Sequence, residues 1–418
     1  MRSLLGRFHR PMSRGAMGDM LTMNSLGDGS TLNLDFTTGV LDSRLTFTRS
    51  TTATYINSSG YVTVMGAAAT NDPTKARFDY DPATLALRGL LIEGQATNLL
   101  NFSETFATTG GTNNNWADTN LTRTSTNNTS PRNDATALQI TASAGNGTII
   151  SSAAIGTSAS RTLSVWLRRV TGTGNIQYTL DNGSTYTTQA ITSSWVRYSF
   201  AATTAAQRVG FRVVTSGDAI EIWGAQLEAG SGASSYVATV ASQVTRNADM
   251  CYLTDFAGWS AGGNFNTAEG TLFVDQAVTY VGTTSYPMGG FSTSNTAESR
   301  FGWQYRQGDA PQGYRGLVNA GYVFELPVGA GWTIPSGTTR FRHAMSCGGN
   351  TFLRQSLKSS ASSGSPTQNN YSDVSTLNIS GVAAFTLTQS AFASSVRIAK
   401  VKYWPRAFTL NELDSLTT

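Results

Sequence analysis

Side chains able to do chemistry are few enough in this 418-residue chain to weigh one by one. There are two histidines, His9 and His343. A Ser–His–Asp arrangement would need one of them as its base. His9 lies in an atypical leading segment, which leaves His343, set in a strand-like run between Phe341–Arg342 and Met345, where a structural histidine is expected. Glycoside hydrolysis needs two carboxyl groups about 5–10 Å apart across a cleft. Asp79 and Asp81 stand at strand spacing but beside Arg77, and Glu221 and Glu228 sit in a mostly apolar run. Neither makes a convincing acid pair, so no catalytic residue is expected. Asp181–Asn182 and Asn113–Asn115 hold hard oxygen atoms of the kind calcium takes. Turns use the same residues for backbone hydrogen bonds, so neither a metal nor a cofactor is expected. Cys251 and Cys347 lack metal-ligand spacing and are too few for a disulfide framework, which fits folding in a reducing compartment.

Binding has better material. Sugars present apolar C–H faces and many hydroxyls; rigid aromatic rings meet the first, and Asn, Gln, Arg and Asp meet the second. The richest mixture runs from Phe301 to Gly308. It nominates Trp303, Tyr305 and Arg306 as glycan contacts, joined by Tyr314, Arg315 and Trp332, with Trp116 in an Asn-rich loop as a further candidate. In an extended strand Trp303 and Tyr305 share one face, and Gln304 and Arg306 the other. The rival reading makes one of those faces core.

The elements that must position these residues are read from composition and period. Charged residues are 13%, about half the usual share. The net charge of +4 comes from scattered arginines, with Arg168–Arg169 as the one adjacent basic pair, so no nucleic-acid partner is expected. No run of about 18 apolar residues exists, and no membrane insertion is expected. Ser (46) and Thr (59) fill about a quarter of the chain, while Glu and Lys, which populate exposed helix positions, are scarce. Thr, Tyr, Phe, Val and Ile suit half-buried strands.

Period-2 alternation is clearest in the middle of the chain. Leu163, Val165 and Leu167 face one way, and Thr162, Ser164, Trp166 and Arg168 the other. Val196, Tyr198 and Phe200, then Val209, Phe211 and Val213, repeat the pattern. Asp181-Asn-Gly183 predicts a hairpin between Ile176–Leu180 and Tyr186–Gln189. Asn57–Gly60 predicts a turn between Thr54–Ile56 and Tyr61–Val64. Near the end, Ser395–Trp404 reads as a strand stopped by Pro405. Thr409-Leu-Asn-Glu412 reads as a capping box for a short helix carrying Leu413 and Leu416. Residues 1–30 differ: four Arg, five Met and no alternation, with no continuous apolar stretch of a secretory signal. Leu4, Leu5, Arg7, Phe8, Arg10 and Arg14 are the residues expected to dock this arm on another subunit, the alternative being an arm folded back on its own body.

Three separated stretches carry a family resemblance. The first is Arg77-Phe-Asp-Tyr-Asp-Pro82 with Leu87–Glu93 and Thr97–Leu100. The second is Ile222–Glu228 with Ser234–Tyr236 and Val244–Asp249. The third is Tyr403–Leu413. Together, in this order, they resemble the virion fibre and spike proteins of tailed bacteriophages, over residues 31 to 418. Members usually carry Glu-Glu or Glu-Gln where this chain has Glu93-Gly94-Gln95. The resemblance implies tandem antiparallel β-sandwiches, a jelly-roll module like those that bind carbohydrate and a concanavalin-like or laminin-G-like one, in a mostly β chain with an extended N-terminal arm and a short C-terminal helix. The expected division is an arm at 1–30, a small β collar at 31–100, the jelly roll at 101–248 and the second sandwich at 249–418. It further implies a homotrimer in the virion, joined to tail, portal or capsid proteins through the arm, and contact with host cell-surface polysaccharide. A ligand-free decoration or connector protein and a polysaccharide depolymerase are the rival functions. The motif residues themselves read as structural: Arg77, Asp79 and Asp81 in an ion-pair cluster, Trp223 filling a core beside a bulge at Gly224, and Glu228 paired with Arg246.

Overall fold

The computed structural model describes residues 28–418 apart from 107–115, 152–158, 173, 205–207, 281–285, 295–298, 307–312, 319–321, 326–339, 349–351, 360–366, 373–378, 380 and 388–394. The described chain is mostly β, in antiparallel sheets stacked as two sandwiches, with two short α-helices, Phe256–Trp259 and Leu410–Thr417.

Alternation builds the middle sandwich. The strand Ala159–Thr171 sends Leu163, Val165 and Leu167 into a fully buried core and pairs on one side with Val196–Thr204 and on the other with Ala219–Ala229. Ala137–Ala142 and Leu121–Asn128 extend this sheet to five strands. The facing sheet, also of five, runs Thr187–Gln189, Ile176–Thr179, Gly210–Val213, Gly147–Ser151, Trp116–Thr119. The hairpin turn at Asp181–Gly183 forms as its residues dictate: Asn182 and Gly183 take positive φ, and Asp181 accepts from Thr185 and Thr179. Those bonds spend the carboxylate on its own turn.

Opposite Trp166 the ladder slips, and Gly224 sits at the slip with φ 65°. A side chain there would press on the ring of Trp166 at about 3.0 Å. The bulge lets Trp166 meet Trp223 and Tyr236 edge-on and those two meet tilted, with centroids 4.8–5.5 Å apart. Val62 of the hairpin Ala53–Ile56/Val62–Met65 packs into the same cluster.

The larger sandwich draws on both ends of the chain. One sheet runs Thr367–Ser372, Phe352–Ser359, Arg340–Gly348, Glu269–Tyr280, Ser395–Trp404, Leu87–Glu93, Arg77–Tyr80, with Leu32–Asp35 also paired to Ser395–Trp404. The other runs Leu45–Thr48, Met250–Leu253, Ala384–Thr386, Tyr286–Ser292, Ser299–Arg306, Gly313–Val318, Tyr322–Glu325. Residues 31–100, read from sequence as a collar, thus supply strands to both sheets of the sandwich assigned to 249–418, because non-local pairing, which no local pattern encodes, chooses the partners. The middle sandwich is inserted between these halves, and Ala96–Asn98 pairs with Val244–Arg246 where the chain enters and leaves it. At the far end, the Thr409–Glu412 capping box starts the C-terminal helix, which seats Leu413 on Phe273, Ala344, Trp404 and Phe408.

Candidate functional site

The residues nominated for glycan contact do not assemble as expected. Trp303 and Trp116 are each 1% exposed. Trp303 belongs to the core of the larger sandwich, and Trp116 packs on Phe106 in the middle one, at 4.9 Å. Both are corrected to core residues: a ring sealed on both faces has none left for a sugar. The backbone ladder pairs Tyr305 with Tyr314 and with Tyr286, Arg306 with Gly313, and Arg315 with Gln304 and Glu325. Trp332, Leu4, Leu5, Arg7, Phe8, Arg10 and Arg14 lie outside the described residues. His343 is buried, with Nε2 3.0 Å from Oε1 of Gln355, and burial pushes its pKa down to about 4.

What the fold does bring together is the first two sequence signatures, with Arg49 and Ser395. Asp249 accepts from Arg49 Nη1 at 2.9 Å and Arg77 Nη2 at 2.6 Å, and also takes the backbone N–H of Glu93 at 2.8 Å. Glu93 accepts from Arg77 Nη1 at 2.6 Å, from Ser235 through both Oγ and backbone N, and from Ser395 Oγ. Arg246 stands 3.7 Å from Glu93. All five charged groups are buried. Burial alone would drive the Arg77 pKa down, but the charges of Asp249 and Glu93 more than reverse this and hold it well above its usual value. Burial likewise works to raise Glu93, and Arg246 and Arg77 hold it far below the ordinary carboxylate range. Three guanidiniums share two carboxylates. Arg246 keeps Nε and Nη2 without a hydrogen bond among the described residues, whereas Arg49 places its remaining donors on the carbonyls of Thr51 and Gly66. This clamp ties the first hundred residues, the exit from the middle sandwich and the last long strand into one joint.

Two sequence expectations change here. Glu228 does not pair with Arg246; it accepts from Gln226 and from Ser234, and burial raises its pKa. Asp81 does not share the face of Arg77 and Asp79: it lies past the end of their strand, caps the turn at Ala83 and Thr84, and pairs with Arg88. Asp79 accepts from Ile56 N and from Arg397 Nε.

Beside the clamp, a cleft of about 110 Å³ opens between the middle sandwich and the first strands. Tyr55, Trp166, Arg197, Leu91 and the Asp79–Arg397 pair line it.

A second polar feature lies on the outward face of the sheet containing Gly147–Ser151. The register aligns Thr188, Gln177, Arg212, Thr148 and Thr119 across all five strands, and their inward neighbours Ile176, Phe211, Val213 and Ile149 are core. At about 4.8 Å between strands the row is about 19 Å long. Arg212 donates to Gln177 Oε1 through Nε at 2.7 Å, and its guanidinium lies 3.7 Å from the centroid of Tyr186. Gln177 in turn donates to Thr188. Sequence reasoning passed over this row. The signal was present: alternation in Arg208–Val214 turns Arg212 away from the core, and the Asp181–Gly183 hairpin folds Tyr186 back beside Gln177.

No family model matches the chain, and no curated protein does. Among solved structures, part of it superposes on Trypanosoma rangeli sialidase in complex with the inhibitor DANA, with TM-score 0.27 and 12% identity over 40% of this chain and 25% of the sialidase. It also superposes on the N-terminal CBM22-1–CBM22-2 tandem domain of Paenibacillus barcinonensis Xyn10C, with TM-score 0.23 and 8% identity over 75% of this chain and 98% of that one. The chain thus spans about a quarter of the sialidase. Overlap at these TM-scores carries no argument.

Proposed function

We propose that this chain is a fibre or spike protein of a tailed-phage virion that adheres to bacterial surface glycan by binding, without chemistry on it. The observation that carries the reading is the outward row Thr119–Thr148–Arg212–Gln177–Thr188 with Tyr186 beside it. Such a strip offers hydroxyl, amide and guanidinium hydrogen bonds next to an aromatic ring, on a rigid sheet, in a chain poor in charge. Those are the complements of a neutral polysaccharide. The phage assignment rests on the three signatures, the first two of which meet in one buried clamp. Single sugar contacts are weak, so a trimeric fibre in many copies gains avidity by raising effective concentration.

The test is binding of the intact chain to a panel of purified surface polysaccharides. Capture by one of them, lost at least tenfold in Arg212→Ala with an unchanged melting temperature, supports adhesion through the row. No capture by any host polysaccharide favours the decoration or connector role. Steady release of reducing ends overturns the non-enzymatic reading. For the arm, deleting residues 1–30 leaves folded protein that no longer joins particles; normal incorporation refutes the anchoring role.

A further inference from the structure

The cleft beside the clamp contains a cation that no carboxylate touches among the described residues. Arg197 donates Nη1 to the carbonyl of Ser234 at 2.7 Å and Nη2 to Ser164 Oγ at 2.9 Å, and both acceptors are neutral. Its guanidinium lies over Trp166, 4.5 Å from the ring centroid, which fixes its plane. Among the described residues no carboxylate comes within 4 Å of it, and its Nε has no acceptor. Its neighbours differ: Arg77 and Arg397 each hold a carboxylate. Glu228 and Glu93 exert a field on Arg197 from a distance, while their own hydrogen bonds come from other groups.

The same cleft is lined by Tyr55, whose hydroxyl has no hydrogen-bond partner among the described residues, and by the apolar side chains of Ile56, Val62 and Leu91. The other polar groups around it are already bonded. Thr54 Oγ1 donates to the carbonyl of Tyr236, while Ser235 and Ser395 donate to Glu93. A partly buried cation with no carboxylate in contact is stabilised further when an anion hydrogen-bonds to it. Its volume of about 110 Å³ equals about four water molecules' share of liquid. That admits an oxyanion and the carbon bearing it, with the rest of a larger molecule left outside.

We infer that this cleft binds the carboxylate of an acidic sugar residue, held by Arg197 and Tyr55, with the sugar's carbon skeleton against the half-buried Ile56 at its rim. The inference rests on the adhesion reading and names a second subsite on the other side of the middle sandwich, so the two can fail separately.

The test is calorimetric titration of the intact chain with galacturonate, its neutral counterpart galactose, and sodium acetate as a bare carboxylate. Galacturonate is expected to bind at least about tenfold more tightly than galactose, in keeping with a charge-assisted hydrogen bond, and more tightly than acetate. Arg197→Gln is expected to lose at least about tenfold for galacturonate, Arg197→Lys to recover part of it, and Tyr55→Phe to lose a few-fold. Tyr55→Phe leaves the clamp intact and decides the matter if Arg197→Gln lowers the melting temperature. Galacturonate binding unchanged in Arg197→Gln and Tyr55→Phe, or no preference over galactose, or acetate binding as tightly as galacturonate, overturns the inference. Arg212→Ala separates the two readings: it is expected to abolish neutral polysaccharide capture and leave galacturonate binding as it is.

Discussion

Asp249→Asn is the perturbation that interrogates the clamp most directly. The amide keeps the shape of the carboxylate, so the change is one of charge. In the native chain Asp249 and Glu93 answer Arg49, Arg77 and Arg246. After the substitution Glu93 alone faces three buried guanidiniums, and Arg49 loses its carboxylate. Removing one partner of a buried ion pair costs about 3–5 kcal/mol, because the charge left behind is desolvated without compensation. Asp249 serves two guanidiniums and a backbone N–H, so the upper half of that range, about 4–5 kcal/mol, is expected. For a chain of this size that corresponds to a fall in melting temperature of about 5 °C. Arg246→Met should behave in the opposite sense. Arg246 has donors with no acceptor and only a 3.7 Å approach to Glu93. Its removal leaves two guanidiniums on two carboxylates, with an expected change within about 1 kcal/mol of zero. The assay is urea unfolding followed by tryptophan fluorescence and far-UV dichroism together, so that separate transitions of the two sandwiches are distinguished. If Asp249→Asn lies within 1 kcal/mol of the parent, or Arg246→Met costs as much as Asp249→Asn, the charge-count argument fails.

Three further outcomes are expected. His343 is buried neutral with its pKa at about 4, against about 6.5 in an unfolded chain; between those values the unfolded state binds more protons, so stability falls as pH drops from 6.5 to 4, by up to about 3 kcal/mol, and His343→Gln flattens that slope in urea titrations across pH. Gly224→Ala forces φ 65° on an L-residue and drives a methyl into Trp166; a loss of about 2 kcal/mol or more is expected in chemical unfolding, and a loss below 0.5 kcal/mol would show that the bulge tolerates a side chain. Thr409→Ala removes the capping box of the last helix; about 1 kcal/mol is expected, read as faster amide exchange confined to Leu410–Thr417, and unchanged exchange there contradicts the role.

Local signals in the sequence were read correctly wherever neighbours alone decide the outcome. The Asn57–Gly60 turn, the Asp181–Gly183 hairpin, the burial of Leu163, Val165 and Leu167 and the Thr409 capping box all depend on residues within a few positions of one another. The clamp does not. Arg49 meets Asp249 across 200 residues, and Arg77 meets Asp249 across 172. Nothing in a run such as Arg77-Phe-Asp-Tyr tells a buried charge from a solvated one. The same limit explains the misplaced collar, since a strand's pattern states which face is apolar but not which distant strand lies beside it. Trp303 and Trp116 went astray for a related reason: an aromatic flanked by polar residues reads alike whether its face is core or binding surface. Arg212 was legible as outward-facing, but its meaning depended on Gln177 and Tyr186 from another hairpin.

The order of strands also dictates when the molecule can become itself on the ribosome. Leu87–Glu93 must wait for Ser395–Trp404, and Glu93 and Ser395 are 302 residues apart. At about 5–20 residues per second that is about 15–60 s of synthesis during which an apolar edge has no neighbour. The inserted sandwich, complete by Ala229, can fold within that interval. Every nascent chain therefore carries a finished module on an unfinished base, and a product truncated before residue 395 would keep its foldable centre and expose the sticky edges around it.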